Sequence, residues 1–537
     1  MTPQETIPAI RPRASAPYID TILKRPWARI VIPSLSDLFF LAAIVVLFMG
    51  PYGWTGLLSD GDAGWHIRTG EYILDHQTVP YQDLYSFSKP GAPWYAWEWG
   101  SDIIYGGVFR MGGLKGVVLL AGLLIAFFAV TLVRRTIRRG TNMFVSMLIA
   151  FLGVGGAALH FLARPHVFTL VLLSISMWLL EKDRDANHST KAVWLLVPLT
   201  LAWTNLHGGF LVLVAVLGVA AAGAAIEALL QEGNLAEKNW SPAIRYAAIA
   251  AACAASSLVN PYGWGLHKHV VEYLRSDWIK NVVQEFQSPS FRNEGMFQFE
   301  ALLFAGLIAA GSLIRRKRIV EGAWILFFAY LSLSSARHIP VFLAVTIPLI
   351  AAEVNDWWNW LSIGAGKNSL VGILNAMSRD LVPGFRRTSV WTFVAIAALI
   401  AINDPIKWPK DFPKELFPTE IVHANQARIL NSRILTTDQW ADYLIFVNPK
   451  QKVFMDGRSD FYGPEVGGQA LDLFNGGWKW KQIMERYHFD LALLPVEQAA
   501  TQLLKQDPDW QVLADDGKSI LLALRRTAVP PTSISGP

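Results

Sequence analysis

Long apolar runs separated by short polar segments dominate the first 400 residues of the chain. A bilayer core of about 30 Å needs roughly 20 apolar residues per helix, so each run predicts a membrane-spanning helix, although several are shorter than the ideal. The runs are 35–55, 114–133, 142–162, 166–181, 192–206, 209–229, 244–259, 298–314, 319–335, 339–354 and 388–403. The pattern predicts a polytopic α-helical membrane protein with about eleven transmembrane helices in a domain spanning 35–403.

Basic residues occupy alternate segments between these runs. They lie in the N-terminal segment 1–34, in the clusters Arg134–Arg139, Lys182–Lys191, Lys238–Arg245 and Arg315–Arg318, and at Lys367, Arg379, Arg386 and Arg387. Because cytoplasmic loops carry the excess of Lys and Arg, these six segments are predicted to be cytoplasmic. Eleven crossings then place the N-terminus inside and the C-terminal part of the chain outside.

Two of the predicted outer segments are long. The first outer loop covers about 56–113, and a second covers about 260–297. The first is rich in Trp, Tyr and Gly, and its amphipathic stretches 65–75 and 98–110 predict short helices on the membrane surface.

The character of the chain changes after residue 403. Residues 404–420 contain several prolines and are predicted to form a linker, and residues 421–526 are predicted to form a small extracytoplasmic α/β domain. Its predicted strands are 433–437, 452–458, 490–495 and 519–526, and its predicted helices are 438–446 and 496–505. The tail 527–537 is predicted to be disordered.

The composition supports the membrane assignment. The chain of 537 residues is 53% hydrophobic and 17% charged, whereas soluble domains are about 25% charged. Its 22 Trp suit membrane interfaces. The single cysteine, Cys253, excludes a disulfide within the chain and a thiolate metal cluster. The net charge of +5 lies in short loops, which argues against nucleic acid as a partner. No cleavable signal peptide is expected, so the first apolar run also serves as the targeting signal.

Ionisable and amide side chains collect at the predicted outer ends of the helices and in the first outer loop. They are Asp60, Asp62, His66 and Glu71 in that loop, Arg164 and His166 after the third helix, Asn205 and His207 after the fifth, His267 after the seventh, and Arg337 and His338 after the ninth. Ionisable groups at membrane depth are costly and usually functional. The pattern predicts a functional site at the outer face.

The residue types suggest the chemistry of this site. Arg164 and Arg337 can bind a phosphate or pyrophosphate. Asp60 and Asp62 can act as a general base or as ligands of a divalent cation such as Mg²⁺ or Mn²⁺. Four aromatic residues of the first loop can stack on a sugar ring, namely Trp65, Trp94, Trp97 and Trp99.

Each of these residues also has a purely structural alternative. The histidines can be polar caps, the arginines can pair with lipid phosphates, and the tryptophans can be interface anchors. Asp60 or Asp62 can cap the helix that follows them. The segment MDGRSD at 455–460 can close a turn above the membrane or bind an acceptor. The occurrence of Arg, His or Asn in several separate turns at one face favours a site.

The segment DGDAGWHIRTGEYILDHQTVP at 60–80 resembles the first outer loop of the GT-C superfamily of membrane glycosyltransferases. It is similar to a bacterial, oligosaccharyltransferase-like group that uses polyprenyl-phosphate sugars. The segment 87–116, the ARPH and ARHIP turns and FMDGRSDFYG at 454–463 fit the same group. This chain departs from the group's pattern at Gly61, where the group has Pro, and at Gly64, where it has an aromatic residue.

The resemblance implies inverting transfer of a sugar from a polyprenyl-phosphate donor to an acceptor at the extracytoplasmic face. It implies Asp60, with Asp62 second, as general base or metal ligand, and the remaining polar residues of the outer face as the substrate-binding set. The expected partners are the lipid-linked donor, membrane lipids, an acceptor that is a glycan, lipid or protein, and possible partner subunits. The expected location is the bacterial cytoplasmic membrane, with the C-terminal domain in the periplasm.

Two other functions remain open from the sequence. The chain can be a non-catalytic scaffold of the same fold in a membrane complex, which the two glycine replacements favour slightly. It can also be a transporter of lipid-linked saccharides. A transporter typically shows internal repeats and charges near the bilayer midplane, and this sequence shows neither.

Overall fold

The computed structural model describes residues 25–293, 295–385, 389–401, 406–430 and 432–525. Several predicted segments lie partly or wholly outside the described residues. They are residues 1–24 of the N-terminal segment, the start of the linker at 404–405, the last residue of the C-terminal domain at 526, and the whole tail 527–537. Arg386 and Arg387 of the last basic segment also lie outside them.

Each of the eleven apolar runs contains α-helix. The helices up to residue 401 are α1 (Pro26–Val31), α2 (Leu35–Met49), α3 (Gly53–Leu57), α4 (Ala63–His76), α5 (Trp99–Arg138), α6 (Met143–Ala157), α7 (His166–Asp185), α8 (Leu196–Leu206), α9 (Phe210–Leu229), α10 (Ser241–Ser256), α11 (Trp264–Arg275), α12 (Asp277–Val282), α13 (Met296–Arg315), α14 (Ile319–Ser334), α15 (Ile339–Leu361), α16 (Leu370–Phe385) and α17 (Trp391–Ala401). Short 3₁₀ turns at Ala158–His160, Lys191–Leu195, Gln284–Phe286 and Ala336–His338 join some of them.

The length and composition of the helices identify a multi-pass membrane protein. In the described residues five helical segments are long and apolar enough to cross a bilayer: Trp99–Arg138, Met143–His160, Phe210–Leu229, Met296–Arg315 and Ala336–Leu361. Leu35–Met49, Ile319–Ser334 and Trp391–Ala401 are apolar but shorter. The count of eleven spans therefore stays a prediction.

The first outer loop packs against the start of α5. Helix α4 lies along the outer part of α5, and two glycines bring their backbones into contact. A Cβ at Gly70 would lie 1.8 Å from the carbonyl oxygen of Asp102, and one at Gly106 would lie 2.6 Å from the amide nitrogen of Glu71. The predicted helix 98–110 is thus the outer part of α5, and a kink at Gly113, with φ of +59°, separates it from the apolar part.

The C-terminal segment forms a four-stranded sheet with helices around it. The strands are β1 (Ile434–Thr436), β2 (Leu491–Pro495), β3 (Trp510–Asp515) and β4 (Ser519–Leu524), in the order β1-β2-β4-β3. β1 and β2 are parallel, and the other two pairings are antiparallel. The helices are α18 (Thr419–Ala424), α19 (Gln426–Ile429), α20 (Asp438–Val447), α21 (Ser459–Phe474), α22 (Trp480–Tyr487) and α23 (Ala499–Gln506).

Three of the four predicted strands are present, and the prediction of a strand at 452–458 is wrong. In that segment only Val453 forms β-bridges, one to Ser86 and one to Ile434. The following Asp456–Gly457–Arg458 turn leaves the sheet to contact the first outer loop. Strand β3 was not predicted because it lacks a continuous apolar run; it lies exposed at one edge of the sheet, and Gln511 and Val512 are exposed.

The C-terminal domain is joined to the first outer loop by buried polar contacts. The Arg458 guanidinium donates to Asp83 at 2.8 Å and to Asp456 at 2.6 Å, and it lies over the ring of Trp94 at 4.5 Å. Arg458 and both carboxylates are buried. Since a buried charge separated from its partner is costly, these contacts hold the two segments together.

Candidate functional site

Arg164 lies at the centre of the outer polar residues. It follows the 3₁₀ turn that ends α6, and the short ARPH segment leads directly into α7. Its Nη1 lies 2.7 Å from Asp60 Oδ2 and 3.0 Å from Glu285 Oε1, and its Nη2 lies 2.7 Å from Asp62 Oδ2. Burial lowers the pKa of the guanidinium, but the three carboxylates outweigh burial and raise it well above its ordinary value. Arg164 is therefore a permanent cation held by three acidic side chains.

The two first-loop carboxylates differ in their other contacts. Asp60 Oδ1 accepts the amide of Asp62 at 2.9 Å, so Asp60 also closes the turn before α4. Asp62 occupies the N-cap position of α4 without a capping hydrogen bond from its side chain, so its carboxylate is not used as a cap. Asp62 Oδ1 is buried and receives no hydrogen bond from the described residues. Burial raises the pKa of Asp62, and Arg164 only partly offsets this effect.

Glu285 connects Arg164 with Arg337. The turn Gln284–Phe286 packs on the turn Ala336–His338, where the Ser335 hydroxyl donates to the carbonyl of Glu285 at 2.8 Å. The Arg337 guanidinium lies over the ring of Phe286 at 5.1 Å and donates to the Tyr273 hydroxyl at 3.3 Å. Burial raises the pKa of Glu285, but Arg164 and Arg337 outweigh burial and lower it. Among the described residues, no carboxylate lies within ion-pair distance of Arg337, so its guanidinium can receive an anion.

A second polar group, next to the first, is centred on Glu98. Glu98 Oε1 lies 3.3 Å from His207 Nε2, and Oε2 lies 3.5 Å from His66 Nε2. His66 Nδ1 contacts Asp102 Oδ1 at 2.6 Å. Burial raises the pKa of Glu98 to about 8. Burial also lowers the pKa of both histidines.

The hydrogen bonds of His207 define its tautomer. Its Nδ1 accepts the amide of Gly209 at 2.9 Å and lies 2.8 Å from the hydroxyl of Thr169. That hydroxyl itself accepts the indole N–H of Trp203 at 2.8 Å, so its proton is directed to His207. A neutral His207 therefore carries its proton on Nε2, the nitrogen that faces Glu98 at 3.3 Å. The raised pKa of Glu98 favours its carboxylic acid form beside the two histidines.

The glycines that depart from the family pattern lie against the C-terminal domain. A Cβ at Gly61 would lie 2.3 Å from the carbonyl oxygen of Gln439, and one at Gly64 would lie 2.5 Å from that of Asp442. A larger residue at either position would push α20 away from the loop. The glycines are thus required by this close approach.

Asp442 brings a further carboxyl group from α20 to Asp62. Its Oδ1 accepts the amide of Gly457 at 3.1 Å, and its Oδ2 is buried without a donor from the described residues. A Cβ at Gly457 would lie 2.0 Å from Asp62 Oδ1 and 2.8 Å from Asp442 Oδ2. Burial, together with Asp62 and Asp456, raises the pKa of Asp442.

The other predicted site residues make local contacts outside this group. Glu71 pairs with Arg68 and Arg110, and Asn205 accepts the indole N–H of Trp99. His166 contacts the carbonyl of His160, His267 contacts Ser257, and His338 contacts the carbonyl of Leu331. Of the predicted set, the structure brings together Asp60, Asp62 and Arg164 directly, and His66 and His207 through Glu98.

The tryptophans predicted to stack on a sugar are already engaged with protein groups. Trp65 and Trp94 are buried, and Trp65 packs on the ring of His66 with 3.6 Å between centroids. Trp97 meets His269 and Tyr273 edge-on. In this conformation Trp65 and Trp94 present no free face to a sugar, whereas Trp97 is partly exposed.

The predicted cation ligands do not fit a divalent metal while Arg164 is in place. Mg²⁺ and Ca²⁺ need oxygen ligands that converge on one point at about 2.0 to 2.6 Å. Here the oxygens of Asp60, Asp62 and Glu285 converge instead on guanidinium nitrogens. In the part of the chain that the structure describes, no group of three or more His, Cys, Asp or Glu side chains is placed to hold a metal ion.

Sequence reasoning did not assign Glu98, Glu285 or Asp442 to the site. Glu98 lies four residues before Asp102 in a predicted amphipathic helix, and this pair of acidic residues on one helix face was the available signal. Glu285 lies in an outer loop with no motif, and Asp442 lies on a predicted helix of a separate domain. Only their packing identifies them.

No model of a known protein family matches the sequence, and no curated protein matches it. Solved structures do share its fold. The apo oligosaccharyltransferase of Archaeoglobus fulgidus has 11% identity, covers 93% of this chain and 75% of its own, and gives a TM-score of 0.50. AglB of the same organism, in complex with an inhibitory peptide and a dolichol-phosphate, has 10% identity, covers 88% and 70%, and gives a TM-score of 0.53. Apo ArnT from Cupriavidus metallidurans has 14% identity, covers 90% and 97%, and gives a TM-score of 0.48.

Proposed function

We propose, from the premise that this chain has the fold of the GT-C membrane glycosyltransferases, that it transfers a sugar from a polyprenyl-phosphate donor to an acceptor hydroxyl at the outer face of the membrane. The observation that carries the proposal is the convergence of Asp60 and Asp62 on Arg164, with Glu285 lying between Arg164 and the turn that carries Arg337. Acidic and basic groups needed for such a transfer thus lie side by side. The ligands in the AglB complex, an inhibitory peptide and a dolichol-phosphate, are consistent with this class of reaction.

Arg337 is the proposed donor-phosphate ligand. Arg164 already pairs with three carboxylates, so its own capacity for a phosphate is small. The Arg337 guanidinium donates to the Tyr273 hydroxyl and carries a full positive charge. A guanidinium binds phosphate through parallel N–H donors, and charge that develops on the leaving phosphate is stabilised by such a fixed cation.

Asp60 is the proposed general base. Its side chain is 15% exposed, whereas that of Asp62 is 8% exposed and has its unpaired oxygen enclosed against Gly457 and Asp442. The acceptor oxygen attacks the anomeric carbon and the bond from that carbon to the phosphate oxygen breaks, with its electron pair going to the phosphate. The acceptor proton passes to Asp60. Because the acceptor displaces the phosphate directly, the configuration at the anomeric carbon inverts and no covalent intermediate forms.

The acceptor approaches between the first outer loop and the C-terminal domain. The segment Asp456–Arg458 fixes that domain on the loop, and α20 places Asp442 beside Asp62. Domains 35–403 and 421–526 are therefore proposed to act together. We place this face in the periplasm and the chain in the bacterial cytoplasmic membrane, with a glycan, lipid or protein as acceptor and with possible partner subunits.

The test is sugar transfer by the full chain in membranes supplied with a polyprenyl-phosphate sugar pool, with released polyprenyl phosphate as the readout. Asp60→Asn should lower the rate about 100-fold or more, the contribution of a positioned base. Asp62→Asn should also lower it, because Arg164 loses a partner. Asp75→Asn is the matched control, since Asp75 is an exposed first-loop carboxylate whose ion pair, within the described part of the chain, is with Arg110.

Normal transfer by both Asp60→Asn and Asp62→Asn would show that the catalytic assignment is wrong. A wild-type chain that transfers from no donor pool, yet copurifies with fixed partner subunits, would instead support the scaffold function. Arg337→Gln separates donor binding from proton transfer, since it should weaken binding of the lipid phosphate while Asp60 stays in place.

A further inference from the structure

The three carboxylates around Arg164 come from two separate outer segments. Asp60 and Asp62 belong to the first outer loop, and Glu285 belongs to the second, more than 220 residues later. Each places one oxygen between 2.7 and 3.0 Å from a guanidinium nitrogen. The side chain of Arg164 is only 19% exposed, so solvent does little to screen this group.

A charge count explains why a cation is needed there. Three carboxylates face one guanidinium, and Asp442 adds a fourth acidic group behind Asp62. Like charges this close disfavour one another's ionisation unless a cation lies between them. A divalent ion is the usual solution with several carboxylates. Here a side chain provides the positive charge, and its donors satisfy the oxygens in a fixed geometry.

We propose that Arg164 is a built-in cation that takes the place of a divalent metal between Asp60, Asp62 and Glu285, so the site operates without Mg²⁺ or Mn²⁺. The inference concerns the same site as the proposed function and rests on it for the reaction, but not for the arrangement of charges. Removal of the guanidinium leaves three carboxylates from two segments around a vacant position, and this set can then bind a metal ion.

The experiment is Mn²⁺ binding to the full-length protein in detergent, followed by electron paramagnetic resonance and by thermal shift. Wild type should show no specific Mn²⁺. Arg164→Ala should bind one Mn²⁺ per chain, with an apparent affinity at least about tenfold higher than that of wild type. Its ligands should be carboxylate oxygens, the type that such ions prefer. Adding Glu285→Gln to Arg164→Ala should abolish the binding. Arg164→Gln carries the same test if the alanine variant does not fold.

Two controls isolate the effect of the cation. Arg164→Lys keeps one positive charge among the carboxylates and should remain without Mn²⁺. Arg337→Ala removes a neighbouring guanidinium that contacts Tyr273 and Phe286 but none of the three carboxylates, so it should also gain no Mn²⁺.

Specific Mn²⁺ binding by wild type that Asp62→Asn removes would overturn the inference, and so would the absence of Mn²⁺ binding in both Arg164→Ala and Arg164→Gln. The failure of the proposed function looks different. If the protein has no transferase activity but its Arg164→Ala variant gains Mn²⁺, the built-in cation is supported and the proposed function is wrong. If the protein is a transferase that EDTA inactivates and Mn²⁺ restores, the proposed function is supported and the built-in cation is wrong.

Discussion

Replacement of Glu98 by Gln should become increasingly stabilising, relative to wild type, as the pH rises. Burial raises the pKa of Glu98 from 4.5 to about 8 in the folded protein, whereas the unfolded chain keeps the ordinary value. Between these values the folded state binds a proton that the unfolded state has lost, so wild-type stability falls as the pH rises from 4.5 through 8. Above that window both states are ionised, and the full penalty for the buried carboxylate is present.

The magnitude follows from the two pKa values. A difference of one in pKa corresponds to about 1.4 kcal/mol, so the penalty above pH 8 is at most about 5 kcal/mol. Gln cannot ionise, and its amide retains a donor toward His66 and an acceptor toward His207. Glu98→Gln should therefore be close to wild type in stability at pH 5 and more stable than wild type at pH 9.

The assay is thermal unfolding of both proteins in the same detergent at pH 5, 7 and 9, followed by tryptophan fluorescence. The quantity of interest is the difference in Tm between variant and wild type at each pH, which cancels titrations that both share. Glu71→Gln reports the effect of removing a partly exposed first-loop carboxylate outside the site. A Glu98→Gln difference that does not change with pH would refute the reasoning.

Two further substitutions test the packing. Gly457→Ala places a Cβ 2.0 Å from Asp62 Oδ1, so it should lower Tm and expose the C-terminal domain to limited proteolysis. Gly468→Ala, whose Cβ meets nothing within 4 Å, should not, and equal sensitivity of the two variants would contradict this packing. Arg135→Met breaks a buried pair with Glu181 at 2.8 Å; because Glu181 keeps Arg138 and Arg139 at 3.5 Å, the cost should stay below the about 3 to 5 kcal/mol of a fully unpaired buried charge. Glu181→Met on the same background should recover part of that loss, since it removes the carboxylate left behind; a wild-type Tm for Arg135→Met would refute the expectation.

The sequence by itself determined the helices of the membrane domain. A run of apolar residues is a local property, and backbone groups in a bilayer can satisfy one another only within a helix, so composition along the chain was enough to predict helix in all eleven runs. Strands β1, β2 and β4 of the C-terminal sheet were predicted for a similar local reason, because 433–437, 490–495 and 519–526 contain apolar residues and are bounded by turns. Edge strand β3 lacks that pattern and was missed.

The sequence also placed the acidic and basic candidates at one face, but not their pairing. Asp60, Asp62 and Arg164 were expected near one another as separate ligands for a metal and a phosphate. The tertiary structure decided that they neutralise one another, since Arg164 is 104 residues from Asp60 along the chain and only loop packing brings them to 2.7 Å. The partners that complete the arrangement, Glu98 and Glu285, carry no motif.

The two glycines of the first loop show most clearly what the sequence alone does not determine. From the sequence, Gly61 and Gly64 depart from a family pattern, and these departures slightly favoured a non-catalytic role. In the structure each glycine admits the backbone of α20, which is nearly 380 residues away in sequence and brings Asp442 to Asp62. A local pattern specifies which element forms, because its causes lie within a few residues. Which side chains share a buried site depends on which surfaces meet, and those contacts exist only in the folded chain.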